Sequence, residues 1–250
     1  MARDTGRVAS LWRFPIKSHG REGLDAATLT AGQTLPWDRV WAVAHDRSRA
    51  DGTEWVGCFN FSIGSKAPGL GAITAQLDPQ ARRITLRHPD LPELTFWPDD
   101  NPDALIAWAG PLIPENRAQS VRVVPAPGRG YTDSDFPSVT IGNLTSHRAV
   151  EQRLGQPLSI HRWRCNLWLD GLAPWAEFDW IGRDIHIGEA ILRPRERTTR
   201  CLATHNNPDT GRRDHDVLGA LDSWGHRDFT VRAEVIRGGA VRTGDPAEVA

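Results

Sequence analysis

At 250 residues the chain is long enough for one large domain or two small ones around a real core, and with 39% hydrophobic and 24% charged residues it is not a disordered chain. A formal net charge of −1 excludes a global attraction to nucleic acid or to an anionic membrane, so an anionic ligand has to be met by local arginines. Three widely spaced cysteines with no C-x-x-C exclude a disulfide framework and a cysteine-rich metal site; with no apolar run near the roughly 20 residues of a membrane span, the expected location is the reducing cytoplasm.

In chain order, RVASLWRFPIKS carries β-forming residues up to Pro15, predicting a strand over Val8–Phe14 that delivers Lys17 and Ser18 to its end. DRVWAVAHD predicts a second strand, with Val40, Ala42 and Ala44 on one face and Trp41, Val43 and His45 on the other. AITAQLD, RITLRH, LTFWP and SVRVVPA add short strands, and NPDALIAWAG reads as a short helix capped near Asp103 and stopped by Gly110. Residues 125–137, PAPGRGYTDSDFP, read as an exposed loop or linker that nearly halves the chain. Beyond it, NLTSHRAVEQRLG predicts a helix ended by Gly155 and RDHDVLGALDSWG another ended by Gly225. LSIHRWRCNLWLD, RDIHIGEAILRPRE and DFTVRAEVIRGGAV predict further strands. Many short strands with a few helices give a mainly β fold with some α, a barrel or a sandwich, and the eleven tryptophans read as packing.

Three sets of residues carry chemical potential. If ILRPRERTTRC is extended, Arg195, Arg197, Thr199 and Cys201 share a face with Arg200 opposite, and positive charge near Cys201 favours the thiolate, the form that attacks electrophiles or ligates a soft metal. The competing reading is a half-buried cysteine beside solvent-facing arginines. Arg164 and Asn166, two apart on a predicted strand, form a fork for phosphate or carboxylate with an amide beside it; surface decoration is the alternative. Lys17, Ser18 and Arg39 make a phosphate cradle of hydroxyl and cations without a P-loop, or three solvated side chains. Glu177 and Asp179 share parity, but a carboxylate pair alone specifies no substrate. His45, His161 and His205 have no metal-ligand spacing and read as structural.

Taken together, LWRFPIKS, LPWDRVWAVAHD, FPSVTIGNLTSHRAVEQRLG, HRWRCNLWLDGLAPWAEFDW, RTTRCLATHNNPDTG and FTVRAEVIRGGAVRTGD resemble, in that order, the MOSC family in the form that carries an N-terminal MOSC β-barrel domain. The resemblance implies a smaller N-terminal β-barrel-like domain over residues 1–118 and a MOSC-type β-barrel over 119–250, either independent or intertwined, with a cofactor in the cleft between them. It further implies molybdenum cofactor, Mo-molybdopterin, with Cys201 supplying a thiolate to the metal and Lys17, Ser18, Arg39, Arg164, Asn166, Thr199 and Arg200 holding the pterin and its phosphate. Asn143 and Ser146 fall in a segment that also touches the cofactor in relatives. Trp37, Cys165 and Phe178 depart from the family pattern, and Trp37 is expected to narrow the pocket.

The activity the resemblance implies is reduction of N-hydroxylated compounds (hydroxylamines, amidoximes, N-hydroxylated bases) to amines, as in the amidoxime-reducing proteins. Electrons would come from a separate ferredoxin-, flavodoxin- or cytochrome-type donor with its reductase, because no four-cysteine ferredoxin motif is present. Nucleic acid and membrane are not expected partners. A carrier of molybdenum cofactor or sulfur using the same Cys201 is the alternative, and a cofactor-free binding module is a further one.

Overall fold

The structure is a computed structural model describing residues 5–249. Its strands and helices are β1 (Thr5–Arg13), β2 (Glu22–Leu24), β3 (Ala26–Leu29), β4 (Trp41–His45), β5 (Thr74–Asp78), β6 (Arg83–His88), β7 (Leu91–Phe96), α1 (Asp103–Ala109), β8 (Ser120–Pro125), β9 (Val139–Asn143), α2 (Leu144–Leu154), β10 (Leu167–Asp170), β11 (Ile185–Ile187), β12 (Ala190–Thr199), α3 (Val217–Asp222), β13 (Asp228–Arg237), β14 (Gly239–Arg242) and β15 (Pro246–Val249). The fold is mainly β, as its short strands predict, and it closes on itself.

The large sheet runs β10-β9-β13-β12-β11-β15-β1, and β1 pairs back onto β10, so seven strands form a ring; β2 extends from β1. β1 achieves closure by changing partners along its length. Thr5–Arg7 pair with β15, Arg7–Leu11 with β10 across a register shift between Val8 and Ser10, and Leu11–Arg13 with β2. The shift is a bulge, the device that bends a strand around a barrel corner. All ring pairings are antiparallel except β9 with β10, and α2 provides the crossover that a parallel pair requires. Alternating inward side chains, among them Val8, Leu11, Ile141, Leu167, Leu192 and Val231, form the barrel core.

The remaining N-terminal strands make a second body. β5-β6-β7 form an antiparallel sheet and β4 pairs with β8. Trp41, Leu70, Ile84, Leu86, Phe96 and Leu105 of α1 fill its core. β4 is buried on both faces from Trp41 to Ala44, so the two-faced reading of DRVWAVAHD describes a central strand. β3 leaves this half to pair with β14. The chain therefore crosses between the bodies twice near its start: the end of β1 bonds to β4 through Lys17 N–H to the Trp41 carbonyl at 2.8 Å.

Local chemistry sets the helix ends. The Asn143 side chain accepts the Thr145 N–H at 2.9 Å as an N-cap, and Gly155 closes α2 at φ 66°, a left-handed conformation that costs glycine little. α2 and α3 pack on the outside of the barrel over Val150, Trp163, Trp168, Leu221 and Phe229, with Trp163 and Phe229 stacked at 3.8 Å. Two expectations fail. LSIHRWRCNLWLD is a strand only over Leu167–Asp170; Ile160–Trp163 form a 3₁₀ turn and Arg164 turns left-handed at φ 48°. Residues 125–137 are not an exposed linker: Tyr131, Thr132 and Ser134 are buried, and the Tyr131 N–H donates to the Arg39 carbonyl at 2.9 Å. Among the described residues no helix is long and apolar enough to cross a membrane.

Candidate functional site

The two bodies enclose a cleft of about 910 Å³ of empty space, mouth included. Its walls come from chain segments at strand ends: Lys17 and Ser18 after β1, Arg39 before β4, Asp133 in the packed segment before β9, Arg164 before β10, and Cys201 after β12. Cys201, the exposed one of the three cysteines, therefore shares a cavity with Lys17 and Arg164.

A buried carboxylate organises the floor. Asp38 is fully buried and its Oδ1 accepts from the Phe14 N–H at 2.8 Å and from Asn166 Nδ2 at 3.1 Å, while Oδ2 pairs with Arg39. Three segments distant in sequence are thus joined at one side chain. Arg39 in turn donates from Nη2 to the Arg164 carbonyl at 3.1 Å, and both guanidiniums lie against the Phe14 ring, at 4.8 and 4.4 Å from its centroid. Ser18, Arg39 and Arg164 all adopt positive φ, at 62°, 55° and 48°. Left-handed backbone at non-glycine residues costs energy and concentrates at functional sites.

Charge in the cleft is unbalanced. Six cations (Lys17, Arg39, Arg162, Arg164, Arg200 and Arg232) face one acid, Asp133. Several are neutralised by partners: Lys17 Nζ by Asp133 at 2.5 Å, Arg162 by Asp214 at 2.5 Å, Arg232 by Glu196 at 2.6 Å. Arg164 is different. Among the described residues it forms no ion pair, and its guanidinium makes one 3.4 Å bond, to the Gly20 carbonyl, which leaves most of its donors free there. Burial, reinforced by Arg39, pushes its pKa down to about 9. Arg200 is pushed down to about 10, again chiefly by burial. Burial also lowers Lys17 against the opposing pull of Asp133. Cations held in this way gain from an incoming anion.

Not every predicted site residue is free to bind. Asn166 lines the cleft, but its amide is saturated: Nδ2 donates to the Trp12 carbonyl and Asp38, and Oδ1 accepts the Thr140 N–H and hydroxyl. It holds the floor. Thr199 donates its hydroxyl to Asp228 at 2.7 Å, and Arg200 donates to the carbonyls of Trp163 and Phe229, at 2.9 and 2.8 Å, and to Thr230. These bonds fix the backbone that presents Cys201. Arg164 and Asn166 do meet in the cleft, though not as alternate residues of a strand.

Asn143 and Ser146, expected near the cofactor, are not among the residues that line the cleft. Both donate to Glu177 Oε2, at 3.0 and 2.9 Å, and help hold that carboxyl inside the barrel wall. Burial pushes Glu177 up to about 7. Arg195 and Arg197 likewise turn away from Cys201: Arg195 meets Glu234 at 3.4 Å and Arg197 covers the Phe178 ring at 4.3 Å. Exposure still alternates along β12, with Pro194 and Thr198 buried and Arg195, Arg197 and Thr199 exposed, although the register to β13 shifts between Pro194 and Glu196 and between Arg197 and Thr199. Trp37 stacks on Trp41 at 5.9 Å beneath Arg82, outside the cleft, so it does not narrow it. Cys165 is buried, its thiol pushed up to about 12 by burial.

Sequence reasoning missed Asp38 as the organiser, and Cys58, Asp133, Arg162 and Arg232 as lining. Arg162, in the predicted strand HRWRC, has a buried Nε without a partner, and Thr198 has an unpartnered buried hydroxyl. A free guanidinium, an unpartnered buried N–H and an exposed thiol in one cavity fit a ligand with an anionic group at one end and a soft metal at the other.

Comparison with known families finds two matches that together span nearly the whole chain: MOSC N-terminal beta barrel domain over residues 5–135 and MOSC domain over residues 133–248. Among solved structures, the YuaD protein from Bacillus subtilis aligns over 99% of this chain and 96% of its own, at 16% identity and a TM-score of 0.49. YiiM from Geobacillus stearothermophilus aligns over 45% of this chain and 53% of its own, at 22% identity and a TM-score of 0.34. YiiM from Escherichia coli covers the same shares at 17% identity and a TM-score of 0.35. No curated protein matches significantly.

Proposed function

The chain belongs to the MOSC family, with an N-terminal MOSC β-barrel domain ahead of the MOSC domain, and from that premise we propose that it is a molybdenum cofactor-dependent reductase of N-hydroxylated compounds. The observation that carries this reading is the placement of an exposed Cys201 in one cleft with the ion-pair-free guanidinium of Arg164. Cys201 Sγ is the protein ligand to the metal. Arg164 and the unpartnered Nε of Arg162 receive the terminal phosphate of the pterin, with Ser18 beside them.

When bound, the cofactor supplies two-electron removal of oxygen from an N–O bond, giving amine and water. The chain supplies position and charge. Asp38 and Asn166 lock the floor before any ligand arrives, so Arg39 and Arg164 need no reorganisation to meet an anion. Lys17 Nζ holds its protons toward the Tyr131 carbonyl at 2.8 Å and toward Asp133, which keeps the single acid of the cleft paired. Two electrons come from a separate donor protein of ferredoxin, flavodoxin or cytochrome type.

The test is expression in a host that makes the cofactor, followed by elemental analysis and assay with an artificial electron donor. The expected result is about one molybdenum per chain and turnover of a hydroxylamine or amidoxime, with turnover lost in Cys201→Ser. Bound molybdenum without turnover would replace the reductase by a carrier. A folded protein that holds no molybdenum in that host would overturn the reading.

A further inference from the structure

A second cavity, about 890 Å³ with its mouth, adjoins the cleft and shares Cys58 and Ile63 with it as a common wall. Its apolar side is Phe59, Phe61 and Ile113, and its polar side carries Arg47, Lys66 and Arg117. Three cations converge there, and among the described residues no acidic side chain lines the cavity. None of the three side chains makes a hydrogen bond or ion pair among the described residues. By contrast, Arg82, Arg83, Arg87, Arg148, Arg193 and Arg227 each face a carboxylate on the surface.

The mouth is built rather than loose. His45 Nε2 donates to the Phe59 carbonyl at 2.8 Å and its Nδ1 accepts the Arg47 N–H at 3.2 Å, so one imidazole ties the Phe59 and Arg47 backbones together at the mouth. Phe59 is 77% exposed, the most exposed of the large apolar side chains. An uncovered aromatic ring at the rim of an apolar cavity gains free energy when a flat apolar group covers it.

We propose that this cavity is the substrate pocket, and that it takes a planar apolar molecule bearing a carboxylate or phosphate. The apolar body lies on Phe59, Phe61 and Ile113, the anion meets Arg47, Lys66 and Arg117, and the opposite end reaches the shared wall at Cys58 and Ile63, beyond which lies Cys201. The assignment deepens the reductase reading and rests on it: among N-hydroxylated compounds, aromatic ones with an acidic group are preferred over neutral ones.

Two measurements test it separately from the chemistry. In the first, calorimetric titration of the purified protein compares 1-naphthoate with the neutral isostere 1-naphthamide. Naphthoate should bind roughly 10-fold more tightly, and the preference should vanish in the triple variant Arg47→Ala, Lys66→Ala, Arg117→Ala. These side chains are exposed and unpaired, so the variant folds normally; Phe59→Ala should weaken both ligands about equally. In the second, KM for 4-carboxybenzamidoxime should lie roughly 10-fold below that for benzamidoxime in the wild type, with no difference between the two in the triple variant. Equal binding of naphthoate and naphthamide, or a preference that survives the triple variant, overturns the assignment. So does loss of an acidic electron-donor protein, rather than of naphthoate, in that variant, which would make this face a docking surface. If naphthoate discrimination holds while no N-hydroxy compound is reduced, the pocket stands and the reductase reading falls.

Discussion

Replacing Asp38 with alanine removes the carboxylate on which the ends of β1, the approach to β4 and the approach to β10 converge. Two donors lose their acceptor, the Phe14 N–H at 2.8 Å and Asn166 Nδ2 at 3.1 Å, in a site from which water is excluded. Each buried donor left unpaired costs about 1–3 kcal/mol. Removing one partner of a buried ion pair costs about 3–5 kcal/mol. Arg39 keeps its bond to the Arg164 carbonyl and its contact with Phe14, which places the ion-pair loss at the lower end. The expected sum is roughly 5–9 kcal/mol, or a fall in melting midpoint of roughly 10–35 °C for a chain of this size. Asp38→Asn retains an acceptor oxygen for Phe14 and Asn166 and loses only the charge, so about half the effect should remain. Urea unfolding followed by tryptophan fluorescence, with thermal melts by circular dichroism, measures both variants. Asp38→Ala within about 1 kcal/mol of the wild type would refute the view that this side chain holds the cleft floor together.

The Glu177 carboxyl should make stability fall with rising pH. Its folded pKa, raised by burial from 4.5 to about 7, means that between these values the native state keeps a proton the unfolded chain has released. Its contribution is therefore intact below about pH 4.5 and lost as pH rises through 7, up to about 3 kcal/mol; Glu177→Gln should flatten that slope in urea midpoints measured from pH 5 to 8. Arg164→Ala should leave stability within about 1 kcal/mol and abolish retention of molybdenum by the holoprotein, whereas Asn166→Ala should cost roughly 2–6 kcal/mol by leaving the Thr140 N–H and hydroxyl without their acceptor. Equal stability loss in both would remove the distinction between ligand donor and floor. Asn143→Ala should cost about 1 kcal/mol or more through the lost N-cap and leave the molybdenum content per folded chain unchanged, as read by elemental analysis.

Local patterns in the chain were enough to locate most elements. Pro15 ends β1's approach, Gly155 ends α2, and the alternation in RITLRH and SVRVVPA marks β6 and β8 where they stand. These signals depend on neighbours a few residues apart, so they survive without tertiary information. Lys17, Ser18, Arg39, Arg164 and Cys201, taken from motifs spread over the chain, line one cavity in the fold. Strand parity gave the exposed face of Arg195, Arg197, Thr199 and Cys201 as it stands, but parity does not say which partner each side chain takes: Arg195 meets Glu234 and Arg197 covers Phe178.

What composition and local order determined was a mainly β chain, near neutral overall, with cationic clusters beside a thiol. Only the tertiary structure decided which cations those are. Closure of the ring by β1 onto β10 brings Phe14 and Asn166 to the same buried carboxylate at Asp38, and the polar segment 125–137 folds inward to place Asp133 against Lys17. A residue is free to bind a ligand only if its hydrogen-bonding capacity is not already used inside the fold. That accounting separates Arg164 from Asn166, and it depends on contacts between segments more than a hundred residues apart.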